Sequence, residues 1–479
     1  MDIRAEVARR VTFASHQNDV AVILDLSVRN GTDMDLEGLV LEVASDPPLT
    51  GGRQWHIDRI PAHGEMSVPD RRMPLAGGFL QGLNEAVKGE IRFTLRKGDA
   101  VLATRDAPIT ALSHNEWGGA RHMPELLAAF VTPNDPAVGR LLKDASGILQ
   151  SSGRDSAIDG YMKKSRSRAW ELASAIWAAV CGRGMTYALP PASFEREGQK
   201  IRLPSDIEAQ GLATCLDTTL LFAAALEQAG LNPVVAFTDG HALAGVWLQP
   251  QNLPSLTVDE AMELRKAIAL DELILFETTL ATQDAPLPFS RAIEQGRAQV
   301  AEEREDAFIY AIDIARARTR GVQPLSFAIA PRPEERLAGA TVAVAPTLDA
   351  PPPLPAFDSD AAETVPDEAA TPAERLERWK RSLLDLSKRN RLLNIKESRT
   401  AISIFCPDPA QMEDRIADGK RMKLVSPPTR RGNIDVPRMG MRCSGPGEKS
   451  QRPDLPSAGW HSAESNAPGR TFHIRKSWG

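Results

Sequence analysis

The segment from Leu216 to Ala229, LDTTLLFAAALEQA, is the feature that most limits how this chain can fold. Leu216, Leu220, Leu221, Phe222, Ala223, Ala224, Ala225 and Leu226 cover nearly the whole circumference of a helix, so the helix belongs in the middle of a domain. Gly230 suits the position just past its last turn, and Pro233 follows where the helix can no longer continue. Cys215 stands immediately before it. A thiol there faces unpaired backbone N–H groups and the positive end of the helix dipole, and both favour the thiolate.

The residues that follow supply partners for such a sulfur. PVVAF reads as a short strand, Asp239-Gly240 as a hairpin turn, and ALAGVWL as the return strand, which His241 opens. A helix-like connection then leads to a third strand, ELILFETTL, with Glu277 near its end. Pairing across neighbouring strands brings a glutamate within reach of a histidine, leaving the second imidazole nitrogen to face Cys215. Cys215, His241 and Glu277 are therefore the candidate catalytic residues: nucleophile, proton shuttle and orienting group. This chemistry calls for no metal and no organic cofactor. Gln210, just upstream, is a weaker candidate for donating to an oxyanion.

At 479 residues the chain is too long for one ordinary core. Residues 1–118 read as short strands. Val20, Val22, Leu24, Leu26 and Val28 alternate before a turn at Asn30-Gly31, and a second alternating pair surrounds Gly98-Asp99, which suggests a small antiparallel β-sandwich. From 119 the spacing becomes helical, as in MPELLAAFV and SRAWELASAIWAAVCGRG, and this region runs through the Cys215 segment to about 330. The overall class expected is α+β. Residues 331–370 are rich in proline, alanine and acid, the composition of a flexible linker. Helical sequence returns at 371–426, where Thr371, Pro372 and Glu374 form a capping signature. Residues 427–479 lack periodicity and read as a tail without a fold of its own.

Charge and cysteine usage narrow the partners. The formal net charge is -6, so contact with nucleic acid requires a local basic patch. One candidate is the helix at 374–396, with Arg375, Arg378, Lys380, Arg381, Lys388, Arg389 and Arg391; its plainer reading is a docking helix with a solvated charged face. Four cysteines without a CxxC pair argue against a disulfide framework or a zinc site and fit a reduced cytoplasm. Neither an export signal nor a membrane span is legible.

The order Cys215, His241, Glu277 across a helix, a hairpin and a further strand resembles the transglutaminase-like branch of the papain-type fold. Members carry a cysteine at the head of a central helix, a histidine followed by a strand containing tryptophan, and an aspartate followed by a threonine-bearing turn. Here Cys215, His241 with Trp247, and Glu277 with Thr278 occupy those places, with Glu instead of the usual Asp. More widely, LSHNEWGG, AAFVTPNDPAV, PPASFEREGQKIRLPS, CLDTTLLFAAALEQAGLNP, GHALAGVWL and ERWKRSLLDLSKRNRLLN, spread over residues 1–425, resemble the amino-terminal portion of a large bacterial family. Its members join a β domain, a transglutaminase-like domain and a domain of unknown function to a superfamily 1 helicase, often with a very-short-patch-repair-type endonuclease, and are associated with DNA processing and phage defence. The resemblance implies a cysteine-dependent acyl hydrolase or transferase acting on a protein substrate, or an inactive module of that fold binding protein or nucleic acid. No GxxxxGK[ST] loop is present, because GPGEKS at 445–450 lacks the spacing, so the expectation is a chain truncated near 427, ahead of the helicase motor.

Overall fold

A computed structural model describes residues 1–285, 287–326 and 348–357, together with the strands Ala401–Phe405, Lys423–Val425, Met439–Arg442 and Thr471–Ile474. The architecture is mixed α+β. Two compact units divide the chain, Met1–Asp360 and Ala361–Gly479.

The amino-terminal strands form two sheets. One has three antiparallel strands in the order Asp2–Val7, Ile23–Arg29, Glu65–Ser67; the other has five, in the order Arg10–Val11, Ala100–Ala111, Val87–Lys97, Leu36–Asp46, Arg53–Ile60. One pairing in the second sheet, Arg10–Val11 with Thr110 and Ala111, is parallel. Gly98 takes a positive φ of 56° and lets the chain reverse between Lys97 and Ala100, which pair directly. Asn30 behaves differently from the turn read in the sequence. Its strand pairs with Asp2–Val7 and Glu65–Ser67, while Leu36–Asp46 pairs in the other sheet, so the chain crosses between sheets here. The buried Asn30 amide fixes that crossing by donating to the carbonyls of Met34, Ile60 and Pro61 at 2.7, 3.2 and 3.0 Å. Val20 and Leu24, expected inside, are 38% and 47% exposed: Val20 precedes the strand, and Leu24 is passed over by a register shift between the pairs Glu6–Asp25 and Val7–Ile23.

The strand Glu116–Trp117, next to the boundary expected at 118, pairs with Gln199–Lys200, and both strands lie in the Met1–Asp360 unit. Beyond it lies an antiparallel sheet of five strands in the order Thr257–Val258, Phe308–Asp313, Pro233–Thr238, His241–Trp247, Leu273–Phe276. Side chains alternate across it. Ala242, Ala244 and Val246 enter the main core with the helix Cys215–Gln228, while Leu243 and Trp247 enter a second cluster with Leu264 of the helix Ala261–Ala269. The small Ala242 and Ala244 let the Cys215 helix lie close on the sheet. Its other sides meet the helices Pro136–Ser151 and Arg166–Cys181, which explains a segment with no polar face.

Aromatic rings lock this arrangement. Trp177 stacks on Phe222 of the Cys215 helix at 5.5 Å, Phe222 meets Phe276 edge-on at 5.2 Å, and Phe276 meets Phe289 at 5.1 Å. Each such pair contributes about 0.5–1.5 kcal/mol beyond area burial. Gly296 completes the contact, since a Cβ there would stand 2.4 Å from the Leu275 carbonyl oxygen. The helix Phe289–Gln299 is thereby pressed against the strand Leu273–Phe276, which leads into Glu277.

Residues 348–357 do not behave as the free linker read from their composition. Leu348 and Leu354 pack on the core, Asp349 accepts a hydrogen bond from the Ser290 amide at 3.0 Å, and Phe357 meets the Tyr161 ring edge-on. The proline-rich stretch presents its few apolar side chains to one face, and proline lowers the entropy of holding it there. In the second unit, four strands form a sheet in the order Lys423–Val425, Met439–Arg442, Ala401–Phe405, Thr471–Ile474. Two of them fall in the segment read as helical and two in the segment read as an unfolded tail. The basic helix read at 374–396 lies outside the described residues.

Candidate active site

Cys215 is the first residue of its helix and wholly buried. Thr214 caps the helix: its hydroxyl accepts from the Asp217 amide at 3.2 Å, and the Asp217 carboxylate accepts from the Thr214 amide at 2.9 Å. Asp217 is also wholly buried and accepts from the Arg202 amide at 2.9 Å and its guanidinium at 3.1 Å. Burial raises its pKa against the pull of those bonds. The backbone that carries the sulfur is therefore fixed from both sides of the first turn.

His241 opens its strand directly across from Thr238, with Asp239 and Gly240 as the two turn residues and Gly240 at a φ of 66°. Its Nε2 lies 2.6 Å from Glu277 Oε2, which leaves Nδ1 for another partner. Glu277 sits where the strand Leu273–Phe276 becomes the turn Thr278–Thr282. Its Oε1 accepts from the Thr279 amide at 3.0 Å and the Thr279 hydroxyl at 2.7 Å, and its own amide donates to the Ala292 carbonyl at 2.9 Å. Both carboxylate oxygens are thus occupied, one by the turn and one by the imidazole.

Cys215 lies close enough to His241 to bear on its charge. Burial pulls the His241 pKa down, but hydrogen bonds with Cys215 and Glu277 and the charges of both override it and raise the value to about 9. Burial likewise opposes the charge on Glu277, yet the hydrogen bond and charge of His241, helped by Thr279, hold its carboxyl below the ordinary value. The pair therefore favours imidazolium and carboxylate. His241 and Glu277 thus meet directly, and Cys215 lies close enough to bear on the charge of the imidazole.

Of the residues around the site, Tyr187 and Gln199 were not singled out by sequence reasoning. Thr278, matched above to a threonine-bearing turn, is buried and lies 2.9 Å from the Thr218 hydroxyl and 3.1 Å from that of Thr219, tying the glutamate's turn to the cysteine's helix. Tyr187, in a strand paired with Leu212–Ala213, stands beside Cys215. Gln210 stands exposed at the end of the helix Pro204–Gln210, its carbonyl accepting from Arg202 at 3.2 Å. The glutamine that reaches the head of the Cys215 helix is the buried Gln199, whose amide donates to the Thr214 hydroxyl at 2.9 Å. Trp247 lies at the opposite end of the strand from His241, in the second cluster. Among the described residues no group of His, Cys, Asp and Glu is arranged to hold a metal ion, and no helix is long and apolar enough to cross a membrane.

A family model described as a protein of unknown function, DUF4011, matches residues 382–468. The match falls within the second unit and spans much of the sequence that looked like an unpatterned tail. No curated protein matches the chain.

Proposed function

We propose that the Met1–Asp360 unit carries a transglutaminase-like, cysteine-dependent site that attacks an amide or related acyl carbonyl. In this reading Cys215 is the nucleophile, His241 the acid and base, and Glu277 the group that orients and charges the imidazole. The observation that carries it is the 2.6 Å contact of Glu277 with His241 Nε2, in a histidine that lies close to the Cys215 thiol at a helix head. With the thiol proton already on His241, the thiolate bonds to the carbonyl carbon and the carbonyl π pair moves to oxygen; on collapse the imidazolium gives its proton to the departing amine, and a thioester remains for water or a second amine to resolve. The substrate proposed is a protein.

The wider setting proposed is the amino-terminal portion of a helicase-related DNA-processing or phage-defence protein, supported by the DUF4011 match, since that domain occurs in such helicase-related proteins. DNA contact through 374–396 belongs to the same proposal. One observation favours a second reading, a non-catalytic binding module: the Cys215 side chain has no exposed surface. The two are separated by incubating the protein with 4-nitrophenyl acetate, quenching in acid and mapping the acetyl group by mass spectrometry. Acetylation of Cys215, absent from Cys215→Ala, is the expected result; a protein left unmodified at Cys215 supports the binding module.

A further inference from the structure

The Cys215 sulfur has a second polar neighbour besides the imidazole, and it stands on the solvent side. Tyr187 is 36% exposed, whereas Cys215 is 0% exposed. Tyr187 stands beside the head of the Cys215 helix, close enough for the charge of the sulfur to bear on its phenol. Its place is fixed by backbone pairing: the strand Thr186–Tyr187 runs parallel to Leu212–Ala213, with Tyr187 opposite Ala213, two residues before Cys215. The Thr186 amide donates to the Gly211 carbonyl at 2.8 Å and the Ala188 amide to the Ala213 carbonyl at 2.9 Å, so the chain is held on both sides of the tyrosine. The strand also contacts the turn Thr278–Thr282 that follows Glu277. Leu212–Ala213 runs directly into Thr214 and the helix, so the phenol and the sulfur are carried by one short rigid frame.

Resting on the acyl-transfer reading above, we propose that Tyr187 is a further catalytic residue, whose hydroxyl donates a hydrogen bond to the oxyanion that forms when Cys215 attacks a carbonyl carbon. In that step the Sγ–C bond forms, the carbonyl π bond breaks, and its electron pair moves to oxygen. The oxygen is one bond from the carbon that sulfur attacks, so a donor within reach of the sulfur at rest is within reach of the oxyanion. Collapse restores the carbonyl and breaks the bond to the leaving group, and the phenol again meets the sulfur. The Cys215 amide is in the first turn of its helix and has no intrahelical acceptor. Desolvation, with the charge of Cys215 and its hydrogen bond, pushes the Tyr187 pKa up to about 12, so the hydroxyl keeps its proton at neutral pH and remains a donor.

Two reagents separate this role from a structural one. Iodoacetamide alkylates sulfur by displacement at a saturated carbon and develops no oxyanion, whereas 4-nitrophenyl acetate acylates sulfur through one. In Tyr187→Phe, the ratio of acylation rate to alkylation rate at Cys215 is expected to fall by about 10²–10³-fold, the usual loss for one oxyanion donor. Continued protection of the buried Cys181 from alkylation shows that the variant is folded. An unchanged ratio, whether both rates fall together or neither changes, overturns the role of Tyr187. A parent protein in which neither reagent modifies Cys215 overturns the acyl-transfer reading itself, and this proposal with it.

Discussion

Glu277→Gln is expected to slow acylation of Cys215 by about 10²–10⁴-fold while leaving the protein folded. The glutamine carbonyl can still accept from Thr279, as Glu277 Oε1 does, so the turn retains its contacts. At the other position the amide nitrogen donates where Oε2 accepted, and it meets an imidazole nitrogen that itself needs an acceptor. His241 is then held in the wrong tautomer or orientation. It also loses the charge that, with Cys215, offsets the effect of burial, so its pKa falls from about 9. Titration of the ring proton resonances by NMR measures that fall, and an unchanged midpoint would show that Glu277 does not govern the imidazole.

The same pair gives a pH-dependent stability whose sign is fixed. The folded pKa of His241 lies above its ordinary 6.5, so its contribution is complete below about pH 6.5 and is lost as pH rises through about 9. Glu277 is shifted the other way, so its contribution is present above its ordinary 4.5 and is lost as pH falls through its lowered folded value. The stability difference between the parent protein and Glu277→Gln is therefore largest between about pH 4.5 and 6.5 and shrinks toward pH 9.

Asp217→Ala is expected to cost about 2–4 kcal/mol of folding stability, the combined cost of a lost helix cap and of buried donors left without an acceptor. The substitution deletes the acceptor for the Thr214 amide, the Arg202 amide and the Arg202 guanidinium at once. Neither amide has another acceptor provided by the capping box, and the helix loses half of its reciprocal cap. Urea unfolding followed by circular dichroism measures the loss, and a change below about 1 kcal/mol would mean the helix head is held by packing alone.

How much of this was legible in the sequence follows from the range of the forces involved. The Cys215 helix was legible because burial on all sides demands apolar residues on all sides, and the Asp239-Gly240 turn because a two-residue reversal needs a positive φ that glycine supplies. The crossing at Asn30 was not, since the same Asn-Gly pair serves a hairpin, and the choice depends on Met34, Ile60 and Pro61 accepting from the Asn30 amide. Tyr187 was illegible for a related reason: its strand has two residues, too few for any alternation, and its place comes from pairing with Leu212–Ala213. Gln210 drew notice by nearness in sequence, whereas Gln199 reaches the helix head through pairing with Trp117. The strands within 401–474 have three to five residues each, and so short a run carries no readable period.

Cys181 and Cys215, both buried and free, provide the most direct test of the central claim. Burial pushes the Cys181 thiol up to about 12 and gives it no base, whereas Cys215 has His241 beside it. The measurement is the rate of iodoacetamide alkylation at each cysteine at pH 6, by peptide mass spectrometry, in the parent protein and in His241→Ala. Cys215 is predicted to react at least about a hundredfold faster than Cys181 and to lose that advantage without the imidazole. Equal, slow labelling of both cysteines, unaffected by His241→Ala, would contradict the account.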